Sequence, residues 1–250
     1  MLKKFETDID TADGAMNTFV AYPEGNAPCP PVIMYMPSSG IRDELRDMAA
    51  RLAGHGYVVL LPNVYYRMAR VVDIDANRLF DEDYAPVKEF MNALNNGYGN
   101  ELSISDTKSI VAFADGQSYV KKGPVGVVGY CMGGRLALSA IGAFPERITA
   151  MASLYGGKLV TDLPDSPHLS ATGMTGELYF GIAENDAYVP MEMNERLRVH
   201  LDSAGTNYRF DIYPGTEHGF CFPKRYCYAP EADARHWSAI IDLFERRLTT

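Results

Sequence analysis

Cysteine is scarce in this chain, with four residues among 250. They are Cys29, Cys131, Cys221 and Cys227. Four cysteines are too few for a disulfide framework in a chain of this size, and their spacing matches no zinc-ligand pattern. Cys221 and Cys227 could pair, but reduced thiols are the expected state. A disulfide scaffold and a zinc site made of cysteines are therefore both excluded.

Positively charged residues and long apolar runs are also scarce. The chain has 23 Lys and Arg against 32 Asp and Glu, a formal net charge of -9. Because phosphate binding requires clustered Lys and Arg, this balance argues against nucleic acid or an anionic membrane surface and favours a small-molecule partner. The N-terminal stretch MLKKFETDID has no apolar segment, and no run approaches the roughly 18 apolar residues of a membrane span. We therefore predict a cytoplasmic protein.

The chain lacks internal repeats, low-complexity tracts and any stretch typical of a long linker. With 250 residues and 47% hydrophobic content, it can bury a substantial core. We therefore predict a single domain over residues 1–250.

Short apolar runs rich in Val, Ile and Tyr recur along the chain. They cover residues 31–37, 57–62, 125–130, 148–155, 177–183 and 208–214. Near-continuous apolar runs of this length are typical of strands that a parallel sheet buries on both faces. Between them, apolar residues recur at helical spacing, as in 43–53 and in the segment that begins near Pro230.

Strands that alternate with helices predict an α/β fold with a doubly wound, mostly parallel sheet. The first thirty residues differ, because polar and apolar positions alternate there on both sides of Asp13-Gly14. We expect this part to form an antiparallel hairpin at the edge of the sheet.

One cysteine lies where a predicted strand meets a predicted helix. The stretch VVGYCMGGRLAL contains G-x-C-x-G, between a strand over 125–129 and a helix over 135–143. This is the nucleophile-elbow pattern, with sulfur in place of the usual serine oxygen. So tight a turn strains the nucleophile, and a Cβ on either flanking glycine would collide with the neighbouring backbone. Cys131 would stand at a helix N-terminus, where the partial positive charge lowers the pKa of a thiol.

The elbow pattern alone is also compatible with a buried cysteine that only packs in a glycine-rich turn. A catalytic elbow needs an acid and then a histidine, each on a loop at the carboxyl end of a later strand. Glu184-Asn185-Asp186 follows the strand ELYFGIA, and His218 follows the strand YRFDIYP. This order indicates nucleophilic catalysis by Cys131 with Asp186 and His218.

Other acids and histidines compete for these roles. Glu184 lies nearer the strand end than Asp186 and is the alternative acid, whereas Glu217 points away from the adjacent His218. The histidines for which surface or capping roles suffice are His55, His200 and His236. His168 lies in an irregular segment that could fold over the mouth of the site, although a loop histidine without a chemical partner more often has a structural role.

These motifs and their order resemble the dienelactone hydrolase family, cysteine-dependent members of the α/β-hydrolase fold. The matching segments are GYCMGG, FGIAENDAYVP, YPGTEHGF and SSGIRDELRDMAARLAGHGYVVLLPNVYYR, and the resemblance runs from about residue 15 to the C-terminus. It implies an α/β-hydrolase fold with Cys131 as nucleophile, Asp186 as orienting acid and His218 as general base. It also implies an oxyanion donor at Ser38, while the elbow supplies the backbone N–H of Met132 as the other.

Such a site would cleave a small ester or lactone. Cys131 would attack the carbonyl carbon, and His218 would protonate the leaving alkoxide and then activate water against the acyl-cysteine. No metal or organic cofactor is needed. A thioesterase, a hydrolase-fold binding protein without turnover and a thiol redox protein are the alternatives, and the oligomeric state is left open.

Two positions depart from the family pattern. The family carries a glutamate just before the oxyanion loop, and the aligned residue here is Pro37. Either His218 alone activates the thiol, or an acid such as Glu44 approaches from the helix. The family arginine that binds a substrate carboxylate, four residues beyond the histidine, corresponds to Phe222.

Aromatic and cationic side chains near these motifs are candidates for substrate contacts. The aromatic residues that indicate either an apolar pocket or ordinary packing are Phe220, Phe222, Tyr226 and Tyr228. Arg42 and Arg135 flank the predicted site. They either hold an anionic group of the substrate or pair with nearby acids.

Overall fold

The computed structural model describes residues 1–25 and 27–249. Its strands are β1 (Leu2–Thr11), β2 (Gly14–Pro23), β3 (Pro31–Tyr35), β4 (Val58–Pro62), β5 (Val125–Tyr130), β6 (Ile148–Leu154), β7 (Glu177–Ala183) and β8 (Tyr208–Tyr213). Its α-helices are α1 (Asp43–Ala53), α2 (Ala85–Gly97), α3 (Asn100–Asp115), α4 (Met132–Ala143), α5 (Met191–Ala204) and α6 (Pro230–Leu248). Within these residues, no helix combines the length and the apolar character needed to cross a membrane.

All these strands form one sheet in the order β1-β2-β4-β3-β5-β6-β7-β8. β1 and β2 are an antiparallel hairpin that closes with Thr11 opposite Gly14, and β2 runs antiparallel to β4. Every pairing from β4 across to β8 is parallel. The predicted α/β fold, with a mostly parallel sheet and an antiparallel N-terminal hairpin, is confirmed.

The central strands are buried along their whole length. Every residue of β3, β4 and β5 is buried, which explains why their sequences are near-continuous apolar runs. α1 and α6 cover one face, where the Arg51 guanidinium lies 4.5 Å from the centre of the Trp237 ring. α4 covers the other face, packed on β5 and β6 and against α3. With both faces covered, the loops at the strand ends are where a site can form.

The helix predicted over 135–143 begins earlier than expected. It starts at Met132, and Cys131 is its N-cap residue. The reason is that the elbow turns the chain straight from β5 into α4, so the glycines after Cys131 already belong to the helix.

Two histidines considered from the sequence have defined surroundings. The sequence predicts a surface or capping role for His236, but this residue is fully buried, with Nδ1 3.3 Å from Asp233 Oδ1. The segment around His168 forms a 3₁₀-helix over Pro167–Gly173 that packs against α4 and α5, not over the mouth of the site. There the His168 Nδ1 lies 2.7 Å from Ser166 Oγ.

Candidate active site

The carboxyl ends of the parallel strands bring the predicted site residues to one edge of the sheet. Ser38 lies after β3 and Cys131 directly after β5, while Asp186 follows β7 and His218 follows β8. Loops at this edge are where ligands bind in open α/β sheets. Ser38, Met132, Cys131 and His218 line one cavity, and Asp186 lies behind His218.

The backbone at the elbow is strained in the expected way. Cys131 has φ 57° and ψ −117°, a conformation that side chains other than glycine rarely adopt. A Cβ on Gly129 would lie 1.9 Å from the carbonyl oxygen of Gly133. A Cβ on Gly133 would lie 2.3 Å from the carbonyl oxygen of Tyr35. The predicted steric reason for both glycines is therefore confirmed.

The Cys131 sulfur is surrounded by hydrogen-bond donors. The backbone N–H groups of Met132 and Ser38 and the His218 imidazole lie within hydrogen-bonding reach of it, and the Ser38 hydroxyl oxygen is 4.0 Å away. Burial by itself raises the pKa of the thiol, but the charge of His218 and these hydrogen bonds outweigh burial and lower the pKa to about 7. About half of the thiol is therefore ionised at neutral pH.

His218 lies between this sulfur and a carboxylate. Its Nδ1 is 2.8 Å from Asp186 Oδ2 and 3.0 Å from Oδ1. Asp186 Oδ1 also accepts hydrogen bonds from the backbone N–H groups of Tyr188 and Val189, at 2.8 and 3.0 Å, which fix its orientation. Burial lowers the pKa of the imidazole, but the Cys131 thiolate and Asp186 outweigh burial and raise it to about 9. Between about pH 7 and pH 9 the pair is therefore thiolate and imidazolium.

Alkylation of Cys131 by iodoacetamide is expected to follow this ionisation. The rate should rise with pH through a midpoint near 7, because the thiolate is the reactive form. Burial raises the pKa of Cys29, Cys227 and Cys221, so these thiols should react more slowly at pH 7. Peptide mass spectrometry after timed quenching measures all four rates. A Cys131 midpoint at or above the ordinary thiol value of about 8.5 would contradict the ion pair.

The competing acids have partners other than His218. Glu184 Oε2 accepts a hydrogen bond at 2.7 Å from a backbone N–H at the start of the His218 loop. Glu217 accepts one from the Tyr226 hydroxyl at 3.1 Å. Of the acids after β7 and β8, it is Asp186 whose carboxylate contacts the imidazole. Within residues 1–25 and 27–249, no three His, Cys, Asp or Glu side chains are grouped so that they could hold a metal ion.

A cavity of about 270 Å³ opens above Cys131. This volume lies near the lower end of the range for small-molecule sites, about 300 to 1,000 Å³. Besides the residues already described, its lining includes Arg42, Glu44, Leu79, Arg135, Tyr155, Lys158, Tyr188, Phe222 and Arg225. The cavity is therefore partly apolar and carries several cationic groups.

The two arginines considered as anion ligands have different surroundings. Arg42 pairs with Asp73 at 3.3 Å and with Asp75 at 3.4 Å, which is the ion-pair alternative. Arg135 is buried and donates to three neutral oxygens, two from asparagine side chains and one from the backbone. Among the described residues, no carboxylate lies within ion-pair distance of Arg135. Its charge is thus available to a ligand in the cavity.

Sequence reasoning missed three further cations of the cavity, which are Lys88, Lys158 and Arg225. Lys158 follows β6 with φ 55°, a strained backbone, and burial and the charge of Arg135 lower its pKa. Its position after a parallel strand was a usable signal. Phe222 occupies the position of the family arginine. Arg225, three residues further along the chain, lines the cavity. No periodicity predicts the path of that loop, so the sequence offered no signal for Arg225.

The structure locates the acid that could replace the family glutamate and the aromatic residues that were candidates for an apolar pocket. Glu44 lines the cavity, and its Oε1 accepts a hydrogen bond at 2.5 Å from the Lys224 N–H. Phe222 lines the cavity as well, whereas Phe220 is fully buried and Tyr226 is largely exposed. Most of the predicted aromatic pocket is therefore packing or surface.

Two tyrosines that the sequence reading did not single out contact His218. The ring centroids of Tyr155 and Tyr188 lie 4.7 and 5.0 Å from that of the imidazole. Both line the cavity, and Tyr155 has φ 39°, a second strained residue on the loop after β6. Their positions just after β6 and just after Asp186 were the available signal.

Similarity to known proteins identifies the family of this chain. Residues 16–248 match the dienelactone hydrolase family. The chain belongs to this family. A Synechocystis relative with the provisional name carboxymethylenebutenolidase is 30% identical over 92% of this chain and 91% of the relative. A Methylorubrum extorquens relative with the same provisional name is 24% identical over 96% of this chain and 80% of the relative.

A solved structure agrees with the predicted fold. A Klebsiella pneumoniae protein, described provisionally as a dienelactone hydrolase, has a TM-score of 0.85 at 22% identity and covers 98% of each chain. This member of the dienelactone hydrolase family therefore has the α/β-hydrolase fold and is a hydrolase of the dienelactone hydrolase type. The predicted family, fold and enzyme class are confirmed.

Proposed function

We propose that this hydrolase cleaves small esters or lactones through a Cys131, His218 and Asp186 triad and an acyl-cysteine intermediate. The observation that carries the proposal is the Cys131 sulfur within reach of the Met132 and Ser38 N–H groups and of the imidazole. A thiolate beside two backbone amide donors suits attack on a carbonyl whose oxygen becomes negative. The relatives' provisional name, carboxymethylenebutenolidase, supports lactone cleavage.

In the first half-reaction, the Cys131 sulfur forms a bond to the carbonyl carbon and an electron pair moves to the carbonyl oxygen. The N–H groups of Met132 and Ser38 stabilise this oxyanion, each by on the order of 3 kcal/mol. The C–O bond then breaks, and His218 gives its Nε2 proton to the leaving oxygen. Because the imidazolium holds that proton before substrate binds, the thiol needs no second base, and Pro37 at the family's glutamate position is compatible with catalysis.

In the second half-reaction, water attacks the acyl carbon while His218 Nε2 accepts one of its protons. The C–S bond breaks, the thiolate is restored, and the carboxylic acid is released. The Asp186 hydrogen bond to Nδ1 keeps the ring in one tautomer and stabilises the imidazolium each time it forms. One water is consumed for each alcohol and acid produced, or for each hydroxy acid from a lactone.

Trapping the acyl enzyme tests this proposal. The protein is mixed with p-nitrophenyl acetate at pH 8 and quenched in acid within the first turnover. Intact-mass analysis should show the gain of one acetyl group, and peptide mapping should place it on Cys131. The Cys131→Ala variant is the control and should gain none. Rapid turnover with no adduct, or an adduct on another residue, would contradict the mechanism.

We further propose that the acyl half of the substrate carries an acidic group. His218 contacts the leaving oxygen, so the acyl half is expected to extend away from it, toward Arg135 and Lys158. Arg135 is buried among neutral acceptors, and Lys158 donates to an asparagine side chain of α2 at 2.8 Å. A carboxylate would compensate both charges.

Three further expectations stay predictions from composition. They are a small-molecule substrate, a cytoplasmic location and a single domain over 1–250.

The Lys158→Met variant tests the acidic group with two esters of equal length. For monoethyl succinate, KM should rise about fivefold, because the charged contact made by the exposed Lys158 is lost. For ethyl butyrate, which lacks the second carboxylate, KM should change much less. Steady-state kinetics at pH 8 measure both values. Equal changes for the two esters would rule out a role for Lys158 in binding an acid.

A further inference from the structure

Two aromatic side chains stand exposed at the mouth of the cavity. Phe80 is 59% and Tyr188 42% exposed, and their ring centroids are 6.0 Å apart. Tyr188 lines the cavity, as does Leu79, the chain neighbour of Phe80. Water contact with apolar rings is unfavourable, and exposed apolar groups clustered beside a catalytic centre are typical of a ligand surface.

The chain segments that carry both rings are anchored near the candidate base. The Tyr188 N–H donates to Asp186 Oδ1 at 2.8 Å, and the Tyr188 ring centroid lies 5.0 Å from that of His218. The turn before Phe80 is tied to the His218 loop by Asn77. Its side-chain amide makes hydrogen bonds of 2.9 and 3.1 Å with two backbone groups of that loop. The chain segments that carry the two rings are therefore anchored around the candidate base, with Tyr188 beside the imidazole and Phe80 beyond it.

The proposed mechanism decides which half of the substrate meets this surface. His218 protonates the leaving oxygen, so that oxygen lies within hydrogen-bond reach of Nε2. Of the two tyrosines beside the imidazole, Tyr155 is buried and Tyr188 is partly exposed. The group bonded to the leaving oxygen is therefore expected to lie against Tyr188, and beyond that against Phe80. The acyl half stays attached to Cys131.

We infer that Phe80 and Tyr188 form a subsite for an aromatic leaving group, so that the enzyme prefers aryl esters to alkyl esters. The inference rests on the proposed function. A flat ring laid across two rings inclined at 34° gains edge and face contacts with both. It also covers apolar surface that water touches in the free protein. An alkyl leaving group covers less of that surface and makes no ring contacts.

Phenyl acetate and 2,2,2-trifluoroethyl acetate test the subsite, since they share one acyl group and both have activated leaving groups. The measured quantity is the ratio of kcat/KM for the phenyl ester to that for the trifluoroethyl ester. Comparing this ratio between variant and wild type cancels the intrinsic reactivity of the esters. In Phe80→Ala the ratio should fall about threefold to tenfold, the effect of one aromatic contact. Tyr188→Leu should lower it as well.

Phe90→Ala is the matched control. Phe90 is also exposed, by 51%, but lies on α2 and not beside His218, so its loss should leave the ratio unchanged. Phe80 is a surface residue, and thermal unfolding of Phe80→Ala near the wild-type temperature verifies that the variant folds.

The outcomes separate the subsite from the chemistry. A ratio in Phe80→Ala equal to that of wild type, with hydrolysis of both esters still lost in Cys131→Ala, overturns the subsite and leaves the proposed function intact. An equal fall in Phe90→Ala also overturns the subsite, because position would then not matter. Hydrolysis of both esters that persists in Cys131→Ala overturns the proposed function, and the subsite with it.

Discussion

Replacement of Cys131 by alanine is expected to lower kcat/KM for ester hydrolysis by at least about 10⁴-fold. Without the sulfur, no acyl intermediate forms, and the donors at Met132 and Ser38 have no tetrahedral adduct to stabilise. The methyl side chain of alanine fits the strained elbow no worse than cysteine, so the fold should persist. Initial rates with p-nitrophenyl acetate at pH 8, inside the window of the ion pair, measure the loss.

The control for this substitution is Cys29→Ala. Cys29 lies between β2 and β3, and its thiol has a raised pKa because of burial. Its removal should leave hydrolysis close to wild type. If Cys131→Ala kept most of the activity, or if Cys29→Ala lost as much, the nucleophile proposed here would be wrong.

The Asp186→Asn substitution is expected to lower kcat by about 10²-fold to 10⁴-fold. Asp186 Oδ1 accepts hydrogen bonds from the Tyr188 and Val189 N–H groups, so asparagine would keep its oxygen there and turn its NH₂ toward His218 Nδ1. The imidazole then has to leave Nδ1 unprotonated and carry its proton on Nε2. A ring in that tautomer cannot take the proton of the Cys131 thiol.

The same substitution is expected to raise the pKa of Cys131 above its value of about 7. The charge of His218 is the main influence that opposes burial, and an imidazole without its carboxylate stays neutral at lower pH. The midpoint of iodoacetamide alkylation should therefore move to higher pH. A structural defect alone would lower activity without moving this midpoint in a folded variant.

Glu184→Gln is the matched control for the acid. Glu184 is the other carboxylate after β7, and it bonds a backbone N–H and not the imidazole. Its amide keeps an acceptor oxygen for that N–H, so both the rate and the alkylation midpoint should stay near wild type. A large loss in Glu184→Gln with normal activity in Asp186→Asn would reverse the assignment of the orienting acid.

The strands and the first helix were readable from the sequence for a clear physical reason. β5 is buried on both faces and so is apolar throughout, and α1 spans 43–53 as its single apolar stripe predicts. α2 is different, because its buried residues are only Met91 and Leu94, too few to mark a stripe with clear ends. The early start of α4 at Met132 follows from the elbow, which leaves no loop between strand and helix.

The candidate site likewise contains residues that the sequence predicted and residues that it did not. The order of the motifs along the chain pointed to Cys131, Asp186 and His218, because the carboxyl ends of parallel strands meet at one edge. Arg225 and Phe80 lie on loops without periodicity, and nothing in their neighbours along the chain places them at the cavity or its mouth.

The sequence by itself determined the fold class, the family and the three side chains proposed for the chemistry, since buried strands and a tight elbow allow few alternative residues. Only the tertiary structure decided which cations of the cavity are paired with carboxylates and which are not, and which aromatic rings belong to the core. Arg42 and Arg135 show the difference: the first meets two aspartates and the second meets neutral oxygens. Those partners come from distant parts of the chain, and only folding brings them together.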